Sequence, residues 1–151
     1  MKIRVMTISD YDKVYSLWKK TEGMGLNEIN DSREGVAKFL ARNPETCFVA
    51  EDDDKDNDDE KKIIGVIMAG SDGKRAYIYH TAVSKDFRGK GIGKALVSKC
   101  LEKLSEMKIH KVALLCFKTN EEGNAFWEKQ GFLLRTDINY RNKTLDLCYN
   151  H

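Results

Sequence analysis

Six residues between a predicted strand and a predicted helix carry the clearest chemical signal in this sequence. They read Arg88-Gly89-Lys90-Gly91-Ile92-Gly93 and are followed by Lys94. Glycines let the backbone turn tightly and present its N–H groups outward, and the first N–H groups of a helix have no partners within it. A turn of this kind favours an anion, above all a phosphate group. The sequence therefore predicts a site for a phosphate-bearing ligand.

The spacing of these residues excludes two common nucleotide sites. The phosphate loop of nucleotide hydrolases needs a glycine five residues before Gly93 and a Ser or Thr after Lys94, but Arg88 and Ala95 stand there. The dinucleotide fingerprint needs its third glycine where Lys94 or Leu96 stands. The turn is therefore neither a nucleotide-hydrolase phosphate loop nor a dinucleotide-binding fingerprint.

An acidic run, Glu51 to Glu60, raises the question of a metal. Asp54, Asp56 and Asp58 are spaced as in a calcium-binding EF-hand, but Asp59 replaces its turn glycine and Gly65 its closing glutamate. We expect a hairpin loop here and no metal site.

The elements that must position the turn follow from the pattern of apolar residues. Capping-box spacing at Ser9 and Asp12, and again at Asp31 and Glu34, predicts the start of two helices. We predict the order β-α-α-β-β-β-α-β-α-β-β. The strands are expected at Met1–Thr7, Thr46–Ala50, Ile63–Ala69, Tyr77–Val83, Lys111–Phe117, Phe132–Arg135 and Thr144–Tyr149, and later helices from Ile92 and from Asn120 to Trp127.

This order predicts one α+β domain over residues 1–151, with a mixed, mostly antiparallel central sheet of six to seven strands and helices on both faces. The net charge is only +2, so no global field favours nucleic acid or an anionic membrane. Four scattered cysteines indicate no disulfide framework, and no apolar run is long enough to span a membrane. We expect a cytoplasmic protein.

The glycine-rich turn resembles the Arg/Gln-x-x-Gly-x-Gly/Ala signature of the Gcn5-related N-acetyltransferase (GNAT) superfamily. Downstream, the segment from Asn120 through Trp127 to Gly131-Phe132 is similar to that family's Asn-containing helix ending in an aromatic, Glu-Lys and Gly-Phe. The resemblance spans the chain, but only Tyr77 to Phe132 is specific. It implies a GNAT-like fold and transfer of an acetyl group from acetyl-coenzyme A (acetyl-CoA) to a primary amine of a small molecule or peptide. Whether the chain forms a homodimer is left open by the resemblance.

The resemblance also implies which residues hold the cofactor. Backbone N–H groups from Arg88 to Lys94 would bind the pyrophosphate, and backbone groups at Ala82 and Val83 would meet the pantetheine arm and the acetyl carbonyl. Asn120 and Trp127 would flank the thiol end. A fixed backbone donor stabilises the charge that develops on the carbonyl oxygen, and Val83 N–H is the donor that we expect.

The proton-transfer groups are less specific. Many relatives have a tyrosine acid where Trp127 stands, and an indole N–H cannot replace it, so Tyr140 is an alternative acid. His80, on the strand leading to the acetyl site, and Glu28, in the loop that typically lines the acceptor site in such proteins, are alternative bases. A structural histidine and a solvated loop carboxylate remain the competing interpretations. The competing function is an acyl-CoA-binding sensor or partner module without turnover.

Overall fold

The computed structural model describes residues 1–55, 60–146 and 149. In this part of the chain it has five strands and four α-helices. They are β1 (Lys2–Val5), α1 (Tyr11–Lys19), α2 (Arg33–Arg42), β2 (Cys47–Lys55), β3 (Lys61–Ser71), β4 (Ala76–Val83), α3 (Ile92–Glu106), β5 (Val112–Leu114) and α4 (Glu121–Lys129). Single 3-10 turns precede α1 and α3, at Ile8–Asp10 and Lys85–Phe87.

The strands form one sheet in the order β1-β2-β3-β4-β5. The first four are antiparallel neighbours and β5 is parallel to β4, so the predicted mixed, mostly antiparallel sheet is confirmed. Alternate residues of the strands feed two apolar layers, as the two-residue period of a strand requires. Trp18 of α1 and Val36 of α2 pack on one face, and Leu96 and Cys100 of α3 pack on the other.

A β-bulge in β4 interrupts its regular pairing with β3. Ala69 pairs with Ile78 and Ile67 pairs with Thr81, so Met68 lies opposite two residues, Tyr79 and His80. The extra residue changes which face the following side chains occupy. Pairing between β4 and β5 stops at the same level, because Ile78 with Leu114 is its last pair. Beyond the bulge the two strands separate.

Neither predicted closing strand is seen among the described residues. Residues 132–135 are described and form no strand, while residues 147 and 148 of the segment predicted at Thr144–Tyr149 lie outside the described part of the chain. The described residues thus support five strands rather than six or seven. β5 is also shorter than the predicted Lys111–Phe117, because it keeps a partner only up to the bulge.

Both predicted helix starts were misplaced, by one or two residues. Thr7 N–H donates to the Asp10 carboxylate at 2.9 Å, so the turn before α1 begins earlier than the expected Ser9. Ser32, not Asp31, caps α2, because its hydroxyl accepts the Gly35 N–H at 3.0 Å. Asp31 is used elsewhere, as described below.

The acidic segment is partly strand, which corrects the expected loop from Glu51 to Glu60. β2 continues to Lys55, which pairs with Lys61 of β3, and two of its acidic side chains contact the basic start of the chain. Arg4 Nε donates to Glu51 at 3.0 Å, and the N-terminal ammonium lies 2.9 Å from Asp53. Residues 56–59, including Asp56, Asp58 and Asp59 of the EF-hand comparison, lie outside the described residues.

Candidate active site

The glycine-rich turn has the geometry of an anion site. Gly89 and Gly91 have φ of 77° and 81°, a conformation that costs a residue with a side chain about 1 to 2 kcal/mol. Among the described residues, a Cβ on either glycine would meet no heavy atom within 4 Å, so the space in front of the turn is open. Gly91 begins α3 without a side-chain cap, and the first turn of α3 contains no acidic residue. Its first N–H groups are therefore available to an anion.

Gly93 and Ile92, in the same motif, pack toward the interior of the protein. A Cβ on Gly93 would lie 3.1 Å from the Phe126 ring and 3.6 Å from Val83 Cγ2, so its absence lets α4 and β4 pack closely on α3. Ile92 is only 5% exposed and anchors the start of α3 in the core. Packing against the core thus fixes one side of the turn, while Gly89 and Gly91 are exposed on the other side. Lys90 and Lys94 are exposed beside them.

The edge of β4 supplies backbone groups next to this turn. Ser84 N–H donates to Ile64 C=O of β3 at 2.8 Å. Backbone groups of successive residues point to opposite sides of an antiparallel strand, so the N–H and C=O of Val83 face away from β3, into the separation between β4 and β5. Arg88 Nε indeed reaches Val83 C=O from that side, at 3.2 Å. The peptide groups of Ala82 point toward β3 instead, so Ala82 contributes no backbone donor to the open edge.

The far wall of the separation is formed by α4 and the chain before it. Asn120 caps α4 by accepting the Gly123 N–H at 2.9 Å. The loop between α1 and α2 approaches this wall closely, since a Cβ on Gly23 would lie 3.1 Å from Asn120 Nδ2 and one on Gly25 would lie 3.1 Å from the Phe117 ring. The α1–α2 loop and α4 therefore meet where β4 and β5 diverge.

His80 is held on the opposite wall by a buried carboxylate. Its Nε2 lies 2.9 Å from Asp31 Oδ1, and the two side chains are 18% and 11% exposed. The other oxygen of Asp31 accepts the Asn27 N–H at 2.7 Å. The ring edge of His80 packs against Trp18, with ring centroids 4.9 Å apart. The bulge thus turns His80 toward α1 and the α1–α2 loop.

The other predicted proton-transfer residues are less constrained. Glu28 is exposed and lines a shallow depression of about 370 Å³ together with Tyr11, Tyr15 and Asp31. Tyr140 is 61% exposed, and its hydroxyl lies 3.5 Å from the amide nitrogen of Asn142.

Tyr79 precedes His80 in β4. Burial raises the pKa of Tyr79, and the neighbouring phenols of Tyr77, Tyr140 and Tyr149 raise it further. The Tyr140 phenol is therefore among the neighbours of Tyr79.

Trp127 packs between two aromatic rings instead of standing free in the separation. Its ring centroid lies 5.0 Å from that of Phe126 and 5.2 Å from that of Phe132. It is partly buried with the layer that covers α3. Its position fits a packing residue at the base of α4, and any contact of Trp127 with a thiol stays a prediction.

The pairing of Asp31 with His80 and the place of Trp18 beside it are the features of the site that the sequence did not indicate. Asp31 precedes His80 by 49 positions, and no motif links the two residues. Trp18 follows the apolar period of α1, which predicts only a core residue, and it is fully buried. Its indole Nε1 is a buried donor with no hydrogen-bond partner in the described chain. Only the folded structure brings both side chains to His80.

Two negative findings apply to the described residues. They contain no group of three or more His, Cys, Asp or Glu side chains placed to hold a metal ion. None of their helices is both long and apolar enough to cross a membrane.

A second depression, of about 160 Å³, lies at the opposite end of the sheet and is lined by residues that include Asn43, Thr46 and Ile109.

Comparison with known proteins agrees with this geometry. The sequence model of the acetyltransferase (GNAT) family matches residues 11–132. An acetyltransferase of Pectobacterium atrosepticum is 31% identical over 129 residues, which is 85% of each chain. Two solved structures have similar folds. Ard1 from Thermoplasma volcanium has a TM-score of 0.74 at 22% identity, covering 89% of this chain and 83% of that one. The PaiA N-acetyltransferase from Thermoplasma acidophilum, solved with coenzyme A, has a TM-score of 0.71 at 20% identity, covering 89% and 90%. The family match covers most of the chain, and the chain belongs to the acetyltransferase (GNAT) family.

Proposed function

We propose that this protein transfers an acetyl group from acetyl-CoA to a primary amine of a small molecule or peptide, by direct attack within a ternary complex. One observation carries the proposal. The open, uncapped start of α3 adjoins the free edge of β4 at Val83, and His80 lies three residues farther along the same strand. The base and the oxyanion donor thus lie along β4, and the phosphate site follows at the start of α3.

The binding of coenzyme A is supported by the turn itself. Its N–H groups and the positive end of the α3 dipole suit a pyrophosphate, and exposed Lys90 and Lys94 add positive charge. The open space over Gly89 and Gly91 leaves room for the phosphates to approach the backbone. PaiA, which has a similar fold, was solved with coenzyme A bound.

The separation between β4 and β5 suits the thioester. A pantetheine arm entering it from α3 runs along the β4 edge, where Val83 N–H can donate to the carbonyl oxygen. That donor is fixed by the sheet, so it stabilises the negative charge of the tetrahedral intermediate without reorganising. Collapse of the intermediate breaks the carbon–sulfur bond and releases the thiolate of coenzyme A. Tyr140 remains the phenol that we propose as proton donor to this thiolate.

The acceptor approaches from the side of the α1–α2 loop. Most amines arrive as ammonium ions, which cannot attack a carbonyl carbon until a base removes a proton. His80 is three residues, or about 10 Å along an extended strand, from Val83, so the acceptor amine and ordered water together would span the distance between the carbonyl site and the base. Glu28, exposed on the same side, is suited to attracting a cationic acceptor. We therefore assign proton removal to His80 and acceptor binding to Glu28.

The test is to incubate the purified protein with acetyl-CoA and a panel of amines, amino acids, polyamines and peptides. Free thiol is followed during the reaction, and acetylated products are identified by mass spectrometry. Transfer to at least one amine supports the proposal. Tight binding of acetyl-CoA without transfer or hydrolysis would instead favour the acyl-CoA-binding module, which the packed Trp127 in place of a tyrosine also favours.

A further inference from the structure

The Asp31–His80 pair has a feature that an incidental surface contact lacks. Both oxygens of the Asp31 carboxylate are used, Oδ1 by His80 Nε2 at 2.9 Å and Oδ2 by Asn27 N–H at 2.7 Å. The backbone C=O of Asp31 also accepts the hydroxyl of buried Tyr11 at 2.7 Å. Three separate contacts thus fix the position of this aspartate.

The pairing determines where the His80 ring carries its hydrogen. A carboxylate is only an acceptor, so the neutral imidazole that faces it at 2.9 Å must donate, and its hydrogen is on Nε2. The free lone pair of the ring is then on Nδ1. Nδ1 makes no hydrogen bond with the described residues, and the other ring contact of His80 is with the uncharged indole of Trp18.

We propose that Asp31 is the positioning residue of the base, holding His80 with hydrogen on Nε2 so that Nδ1 takes the proton of the acceptor. The inference rests on the proposed function, because it needs His80 to act as the base. In the step that it describes, one proton leaves the ammonium of the acceptor and binds Nδ1, directly or through water. The resulting imidazolium is stabilised by the adjacent carboxylate, and it returns the proton to solvent after the acetyl group has moved.

Asp31→Asn tests this assignment with almost no change of shape. The backbone N–H of Asn27 requires an acceptor, so the new amide places its oxygen there and its NH₂ group toward His80 Nε2. A neutral His80 facing a donor must carry its hydrogen on Nδ1. The substitution is therefore expected to reverse the tautomer and to block the atom that should accept the proton.

The tautomer is read directly, without activity, from the ¹⁵N chemical shifts of the His80 ring by long-range ¹H–¹⁵N NMR. We expect hydrogen on Nε2 in the wild type and on Nδ1 in Asp31→Asn. The value of kcat should fall by roughly 100-fold or more, within the range of general base catalysis, while the affinity for acetyl-CoA stays the same. Asp12→Asn is the matched control, because Asp12 is 83% exposed and pairs only at the surface with Arg33. Its kcat should stay within about twofold.

The outcomes separate the two proposals. If the wild type acetylates no amine, the proposed function fails. If the wild type is active but carries hydrogen on Nδ1 of His80, the positioning role is refuted, even if Asp31→Asn does not fold. If Asp31→Asn folds and keeps the wild-type kcat and pH profile, the positioning role is also refuted.

Discussion

Gly91→Glu offers the sharpest perturbation of the proposed coenzyme A site. Gly91 has φ of 81°, so any side chain there costs about 1 to 2 kcal/mol in backbone strain. No heavy atom lies within 4 Å of a Cβ at this position, so the strain is not increased by a clash. The protein should fold with its stability lowered by about that amount.

The effect on binding follows from charge. The new carboxylate would lie at the start of α3, where the pyrophosphate is proposed to bind. Two unit negative charges about 5 Å apart repel by about 0.8 kcal/mol in water and by about 3.3 kcal/mol at the effective dielectric of a protein surface. The dissociation constant of acetyl-CoA should therefore rise by roughly 4-fold to 250-fold.

Gly73→Glu is the matched control. Gly73 also has a positive φ, of 91°, and open space around its Cβ position, but it lies in the turn between β3 and β4, near the end of α3 and away from its start. Calorimetric titration with acetyl-CoA and thermal unfolding of both variants should show similar losses of stability, with weaker binding only for Gly91→Glu. Equal affinity in folded Gly91→Glu and wild type would refute the site.

Four further outcomes are expected. His80→Gln should lower kcat by roughly 100-fold while leaving the affinity for acetyl-CoA intact. Wild-type turnover should fall as the pH drops, because the base must be neutral. Steady-state kinetics across pH measure both results. Gly93→Leu should destabilise the protein by about 1 to 3 kcal/mol in urea unfolding, because even its Cβ would lie 3.1 Å from Phe126. Burial raises the pKa of Asp10, but hydrogen bonds from Arg4 outweigh this effect, so the pKa of Asp10 is lowered overall. The stability that the Asp10 carboxylate contributes at neutral pH should therefore be lost as the pH falls below the ordinary value of 3.8. The difference in unfolding free energy between wild type and Asp10→Asn should shrink over the same pH range. Burial raises the pKa of Cys47 and Cys100 to about 12, so mass spectrometry should find both thiols unlabelled by a thiol reagent at pH 8 until the protein unfolds.

The sequence predicted those parts of the fold that depend on local patterns. The apolar period placed α1 to α4 and the first five strands in order, and the glycine spacing located the turn before α3. The acidic end of β2 was taken for a loop because its acidic side chains pair with Arg4 and the N-terminal ammonium, which are distant in sequence. Helix starts shifted because several nearby Ser, Thr and Asp residues could each act as the cap.

The candidate site was predicted only where it coincides with a motif. Val83, Gly89 and Gly91 follow from the turn and the strand before it. The position of His80 depends on a bulge opposite Met68 and on a partner 49 residues earlier, and no short-range pattern reports either feature. The motif match did not reveal that Trp127 packs with Phe126 and Phe132, and its expected place beside the thiol stays a prediction.

The most direct test of the central claim is to map where acetyl-CoA binds, using backbone amide chemical shifts during an NMR titration. We predict the largest changes at the N–H groups of residues 89–94 and at Val83, with smaller changes at His80 and Asn120. Changes concentrated in the depression at the opposite end of the sheet, around Asn43, Thr46 and Ile109, with none at the start of α3, would contradict the account.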